Sequence, residues 1–130
     1  MLCPCHSGKP YKECCKIYHD GTPPPTPLAL MRSRFAAYAM SNAQYIIQTT
    51  HPKSPYFESD LKKWEKGILE FCHSTKFENL EILGSGDDWV HFAAHLRQNE
   101  KLLLEERSHF EKIDGKWLYV KGDFTTRSKN

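Results

Sequence analysis

The chain has 130 residues, 39% of them hydrophobic, with 18 Lys and Arg against 16 Asp and Glu and a formal charge of +2. That length holds one ordinary domain, or a domain plus a small metal-stapled module, and its aromatic content excludes global disorder. The balanced charge argues against nucleic acid as a main partner, the short apolar runs exclude a membrane-spanning segment, and the start lacks a signal-peptide pattern, so the expected location is the cytoplasm.

The first stretch, MLCPCHSGKPYKECCK, holds four of the five cysteines. An odd count in a reducing compartment favours metal binding over a disulfide scaffold. Cys3 and Cys5 offer one edge of a tetrahedron, and Cys14 and Cys15 the opposite edge. Ser7, Gly8 and Pro10 between them suit a turn that brings the edges together. One structural Zn²⁺ closed by four thiolates is the favoured reading. C-x-C is tighter than the usual zinc spacing, so redox chemistry, a disulfide or an iron–sulfur centre stay open as alternatives. Tyr11 is expected to shield the cluster. His6 and His19 are expected to face solvent. Lys9, Lys12 and Lys16 offset the thiolate charge and, with Tyr11, form a candidate surface for a protein partner. They also make nucleic-acid binding a weaker competitor.

This stretch resembles the SEC-C motif, C-x-C-x-S-G-x-x-[YF]-x-x-C-[HC], matched by Cys3, Cys5, Ser7, Gly8, Tyr11, Cys14 and Cys15. The resemblance implies that the four cysteines bind zinc.

Residues 1–18 are therefore expected to form a zinc-binding module, and the proline-rich residues 19–25 a stiff spacer that separates it from the rest. Thr26-Pro27 then opens a helix whose stripe is Leu28, Met31, Phe35 and Tyr38. Asn42 caps a second short helix that ends before His51-Pro52. Ser59 or Asp60 caps a third, running to about His73, with Leu61, Trp64, Ile68, Phe71 and Cys72 on its apolar stripe. Cys72 is expected to be a small core residue rather than a reactive thiol.

The pattern then turns to strands. FENLEILG is followed by WVHFAAHLR, in which Val90, Phe92, Ala94 and Leu96 share one face. KLLLEERSHFEKI and KWLYVKG flank the hairpin signal Asp114-Gly115. Three helices and a four-stranded meander give an α+β domain over residues 26–125, followed by a flexible tail at 126–130. The segments MRSRFAAYAM, YIIQTTHP, WEKGILEF and EERSHFEKIDGKWLYVKGD resemble the YchJ-like (UPF0225) family. That resemblance implies a SEC-C module joined to an NTF2-like cone of helices on a curved, mainly antiparallel sheet. It carries no assigned activity. By analogy, some such domains form homodimers through the outer sheet face.

An NTF2-like shell often encloses a pocket, and it serves enzymes and non-enzymes alike. If Glu106 and Ser108 face inward, Glu106 is a buried carboxylate with a raised pKa. Arg32, Arg34 or His51 are the candidates to approach it from the helices. The competing reading is an ion pair from Glu106 to Arg32 or Arg34 that only orients the first helix. His91 and His95 are expected to face solvent. No Ser-His-Asp pattern, phosphate loop or H-E-x-x-H is present, so an enzyme is not singled out. The leading expectation is a zinc-binding adaptor that recognises a protein. Its alternative is a pocket around Glu106 that serves a small ligand or a reaction.

Overall fold

The computed structural model describes residues 1–128, with side chains through Thr125. A 3₁₀ turn at Tyr11–Glu13 leads into α1 (Cys15–His19). Then come α2 (Pro27–Ala39), α3 (Ala43–Gln48) and α4 (Leu61–Ser74). The strands are β1 (Lys76–Ser85), β2 (Trp89–Arg97), β3 (Lys101–Ile113) and β4 (Lys116–Ser128). They pair antiparallel in the order β1-β2-β3-β4, so the α+β reading holds. Among the described residues no helix is long and apolar enough to cross a membrane.

The helix starts follow from local chemistry. The Thr26 hydroxyl accepts from Ala29 N–H, Asn42 Oδ1 from Tyr45 N–H, and Asp60 Oδ1 from Lys63 N–H. Each satisfies a donor the first turn leaves open. In α4 the expected stripe splits. Trp64, Ile68 and Cys72 are buried, whereas Leu61 and Phe71 stay exposed.

Helix α2 departs from the one-stripe expectation. Leu30, Met31, Ser33, Arg34, Phe35, Ala36 and Ala37 are all buried, positions that together encircle the helix. A helix apolar on all sides needs cover on all sides. The sheet and α4 cover one flank, and the cysteine module covers the other, with Ala36 packed into the cluster of Cys3, Cys5 and Cys15. The proline-rich segment therefore does not hold the module away from the domain. It lets the chain double back onto α2.

Alternation on β2 sends Val90, Phe92, Ala94 and Leu96 into the core. The outer face carries cross-strand polar pairs. His91 meets Glu105 at 2.9 Å, Arg97 meets Glu78 at 2.9 Å, and His95 meets Glu81. Strand β4 runs to Ser128 opposite Leu102, so residues 126–128 are strand where a flexible tail was expected. The last two residues of that expected tail, 129–130, lie outside the described residues.

One irregularity shapes the inner face. The β3–β4 register shifts between His109 and Phe110, so that His109 pairs Lys121 while Phe110 pairs Tyr119. Val120 is the extra residue of a β-bulge. The bulge puts Tyr119 and Gly122, three apart, on the same inner face as Glu106 and Ser108. A Cβ on Gly122 would lie 2.0 Å from Glu106 Oε2.

These contacts give opposite expectations for two glycines. Gly122→Ala should destabilise by about 1–3 kcal/mol, because the added methyl must displace the Glu106 carboxylate. A Cβ on Gly67, inside α4, would meet nothing within 4 Å. Gly67→Ala should stabilise by about 0.5–1 kcal/mol through helix propensity. Urea unfolding of both variants checks this, and equal effects would contradict the inner-face packing described.

Candidate functional site

Two features stand out, one on each side of α2. The first is the thiol cluster. Its loop is closed by Cys3 N–H to Lys9 O at 2.9 Å and Tyr11 N–H to Met1 O at 2.9 Å. Gly8 supplies the reversal with a φ of 88°. The Sγ atoms of Cys3, Cys5, Cys14 and Cys15 all lie within 4.8 Å of one another. Cys5 and Cys14 are 3.6 Å apart, and Cys14 and Cys15 are 3.9 Å apart. The Cys5 thiol is pulled down to about 4, chiefly by the hydrogen bond from Cys15, and the same contact pushes Cys15 up. Four sulfurs at this spacing are compatible with one metal ion and leave no open coordination position for a substrate.

The surroundings of the cluster correct several expectations. Arg32 is no pocket residue: its Nη1 donates to Cys5 O at 3.0 Å and lies 4.0 Å from Cys5 Sγ. His19 does not face solvent. Its Nε2–H donates to Ser33 O at 2.8 Å, which leaves Nδ1 to accept from Tyr11 O–H at 2.7 Å. Burial holds His19 below the ordinary imidazole range, so it stays neutral in this role. It is a latch between the module and α2. Tyr11 packs against the cysteines as expected, but its hydroxyl is spent on the latch. Lys16 pairs with Asp20 one turn on. Lys9 and Lys12 remain exposed. His6 is exposed, with Nε2 3.2 Å from Phe77 O.

The second feature is a cavity of about 260 Å³ between α2, α4 and the inner sheet face. Its wall is largely aromatic, with Phe35, Tyr38, Trp64, Phe92, Phe110 and Phe124 among its residues. Arg34, Glu106 and Ser108 line it. His51 does not. Its Nδ1 accepts from Lys53 N–H at 3.0 Å, and its Nε2 lies 3.8 Å from Glu111 at the surface. Sequence reasoning missed Tyr119, whose hydroxyl donates to Glu106 Oε2 at 2.8 Å. Strict alternation sets Tyr119 and Gly122 on opposite faces, and only the bulge unites them.

Glu106 is 6% exposed and Arg34 is 8% exposed. They do not pair with each other, so the orienting ion pair is absent. Glu106 Oε2 accepts from Ser108 O–H at 2.7 Å as well as from Tyr119. Arg34 Nη1 donates to Ile46 O at 3.2 Å, Thr49 Oγ1 at 2.8 Å and Thr50 Oγ1 at 3.2 Å. It thereby serves the carbonyl end of α3. The guanidinium also sits 4.6 Å from the Tyr119 ring centroid. Burial raises the Glu106 pKa, and the two hydroxyls and Arg34 offset part of that rise.

The family described as "YchJ, middle NTF2-like domain" matches residues 26–122. A UPF0225 protein of Deinococcus radiodurans is 38% identical over 121 residues, covering 91% of this chain and 85% of its own length. A UPF0225 protein of Serratia proteamaculans is 36% identical, with 93% and 82% covered. The solution structure of a SEC-C motif containing protein from Rhodopseudomonas palustris superposes with a TM-score of 0.78 at 31% identity, covering 95% of this chain and 98% of that one. The crystal structure of a SEC-C motif containing protein from Psychrobacter arcticus has a TM-score of 0.71 at 21% identity, covering 92% and 80%, and shares the fold.

The raised pKa of Glu106 carries a signed prediction. The folded state holds this proton over a pH window in which the unfolded chain has already released it. Stability from this group therefore falls as pH rises from the ordinary carboxylate range to the raised value, and stays low above it. Glu106→Gln has no charge to bury. Its Tm should match wild type near about pH 4, exceed it increasingly as pH rises to the raised Glu106 pKa, and keep a constant excess above that. A Tm difference that does not change with pH would contradict a buried, destabilising carboxylate.

Proposed function

The chain belongs to the YchJ-like UPF0225 family, and from that premise we propose that it is a zinc-stapled protein that holds a small molecule in its NTF2-like domain. The observation that carries this reading is the aromatic cavity with an almost fully buried carboxylate in its wall. Desolvating a carboxylate is costly unless something answers it. Such a group in a concave apolar site fits orientation of a ligand better than it fits core stability.

The zinc reading is supported by the donor set, four thiolates close enough to share one ion. Four thiolates around one Zn²⁺ at the usual zinc–sulfur distance lie about 3.8 Å apart. The Cys5–Cys14 and Cys14–Cys15 separations of 3.6 and 3.9 Å bracket that edge. Cys3, Cys5, Cys14 and Cys15 would hold the ion, which supplies folding energy to the module and no chemistry to the cavity.

A second reading keeps the module as an adaptor. It is favoured by exposed apolar side chains at Met1, Leu2 and Ile17 on the same small module as the exposed lysines Lys9 and Lys12. Lys16 and Tyr11 contribute less, since each already has an intramolecular partner. If this reading holds, K9E/K12E should lose a protein partner that wild type captures, at unchanged zinc content. Equal capture would remove it.

The zinc part is checked by metal analysis on protein purified without chelator. Wild type should carry one zinc per chain, and C14S/C15S none. The variant should also lose Tm and gain fast amide exchange over residues 3–19 and along the flank of α2 that the module covers. Full protection of that segment with no metal bound would overturn the staple.

A further inference from the structure

The cavity wall places two buried, opposite charges within one small space without joining them. Glu106 commits Oε2 to two hydroxyl donors, and Oε1 takes no hydrogen bond among the described residues. Arg34 commits Nη1 to three acceptors, and its guanidinium also interacts with the Tyr38 hydroxyl in the same cavity wall. Among the described residues, no fully buried side-chain nitrogen or oxygen lacks a partner. The unbonded Oε1 therefore reaches accessible surface. For a side chain this deeply buried that lines the cavity, that surface is the cavity itself. One strong acceptor thus stands open on a largely aromatic wall, beside a guanidinium that keeps donor capacity next to the Tyr38 hydroxyl.

From this we propose that the cavity binds an uncharged primary or secondary amide carried on an aromatic or apolar body. The ligand N–H donates to Glu106 Oε1, and its carbonyl accepts from Arg34. The inference rests on the small-molecule reading given above and names the ligand class for that site.

Charge and size narrow the class. Arg34 and Glu106 already offset each other, so a ligand with net charge leaves one of the buried charges unanswered. A hydrocarbon leaves Oε1 dry and unpaired and the spare donor capacity of the guanidinium unused, which costs more than the contact area returns. An amide presents a donor and an acceptor on one rigid plane and answers both. At about 260 Å³ the cavity lies below the range of about 300–1,000 Å³ usual for drug-sized ligands, so the body is of the order of a single ring with a short substituent.

Glu106→Gln makes the hydrogen-bond roles testable. Ser108 and Tyr119 both donate to Oε2, so they will hold the glutamine oxygen in that place. The glutamine NH₂ then occupies the position of Oε1. A donor replaces the acceptor while shape is kept, and the amide ligand loses its match.

The experiment titrates the zinc-loaded full chain, labelled at methyl groups, with phenylacetamide, phenylacetate, 2-phenylethylamine and ethylbenzene. The readout is the methyl shifts of the cavity residues Met31, Ile46, Leu96 and Leu104. Phenylacetamide is expected to bind about tenfold or more tighter than each of the other three, the worth of one charge-assisted hydrogen bond. N,N-dimethyl-2-phenylacetamide, which has no N–H, should lose about that factor. Glu106→Gln should weaken phenylacetamide by a similar factor of about ten while leaving ethylbenzene within about twofold. If ethylbenzene or either charged probe binds as well as the amide, the ligand class is overturned and the cavity reading survives. If no probe, ethylbenzene included, moves the cavity methyls, the small-molecule reading itself fails and takes this inference with it.

Discussion

The double burial of α2 is the constraint on which the rest of the structure depends. A 13-residue helix with Leu30, Phe35, Ser33 and Ala36 all buried cannot be stable on the sheet alone. Its second flank needs cover, and the cysteine module is what covers it. The contacts are specific as well as apolar. Arg32 reads the Cys5 carbonyl, and His19 reads the Ser33 carbonyl. The Ser33 hydroxyl meanwhile donates to Leu30 O at 2.8 Å and accepts from Tyr45 O–H at 2.6 Å, which ties α3 to the same turn of α2. Polar groups at this depth are tolerated because each is paired.

On the other flank, three consecutive features of β4 permit one buried carboxylate. The bulge at Val120 turns Tyr119 inward, Gly122 leaves room for the carboxylate, and the Tyr119 hydroxyl donates to it. The backbone of Tyr119 is held as well, by His51 N–H to its carbonyl at 2.8 Å and by its own N–H to Thr49 O at 2.8 Å. Segment 49–51 thus anchors both ends of the polar wall, since Thr49 and Thr50 also accept from Arg34. Arg34 and Tyr119 are fixed by the same short stretch of chain, which keeps Glu106 and Arg34 apart without a bond between them.

Much of this was legible in the residues, and the failures have physical causes. Caps are local, so Thr26, Asn42 and Asp60 announced their helices. Alternation is local too, and it grouped Phe92 with Val90, Ala94 and Leu96, and Glu106 with Ser108, on one face each, which the structure turns inward. The cysteine quartet was legible because thiol spacing is chemistry written in sequence. What was not legible depended on contacts between distant segments. Arg32 and Arg34 are two apart on one helix and looked equivalent. One went to the module and the other to the cavity because α2 has two buried flanks, a fact no single stripe reveals. His51 looked like a pocket residue by proximity to α3, but its buried ring is taken up by Lys53 N–H and turned toward Glu111. Tyr119 was hidden by the bulge, since counting by twos fails wherever one strand gains a residue.

The two features share a wall, and that bears on how they interact. Any ligand that binds the folded form stabilises whatever its site is built from. A metal in the thiol cluster would order the module, and the module covers one flank of α2. A ligand held in the cavity, as proposed, would rest against Arg34 and Phe35 on the other flank of the same helix. Both would then favour the state in which α2 is fully packed, and linkage would make the effect mutual. Its size is limited by how far α2 loosens when either side is released. With Ala36 in the thiol cluster and Phe35 in the cavity wall, adjacent residues face the two sites, so the path between them is one turn of helix and needs no longer chain of contacts.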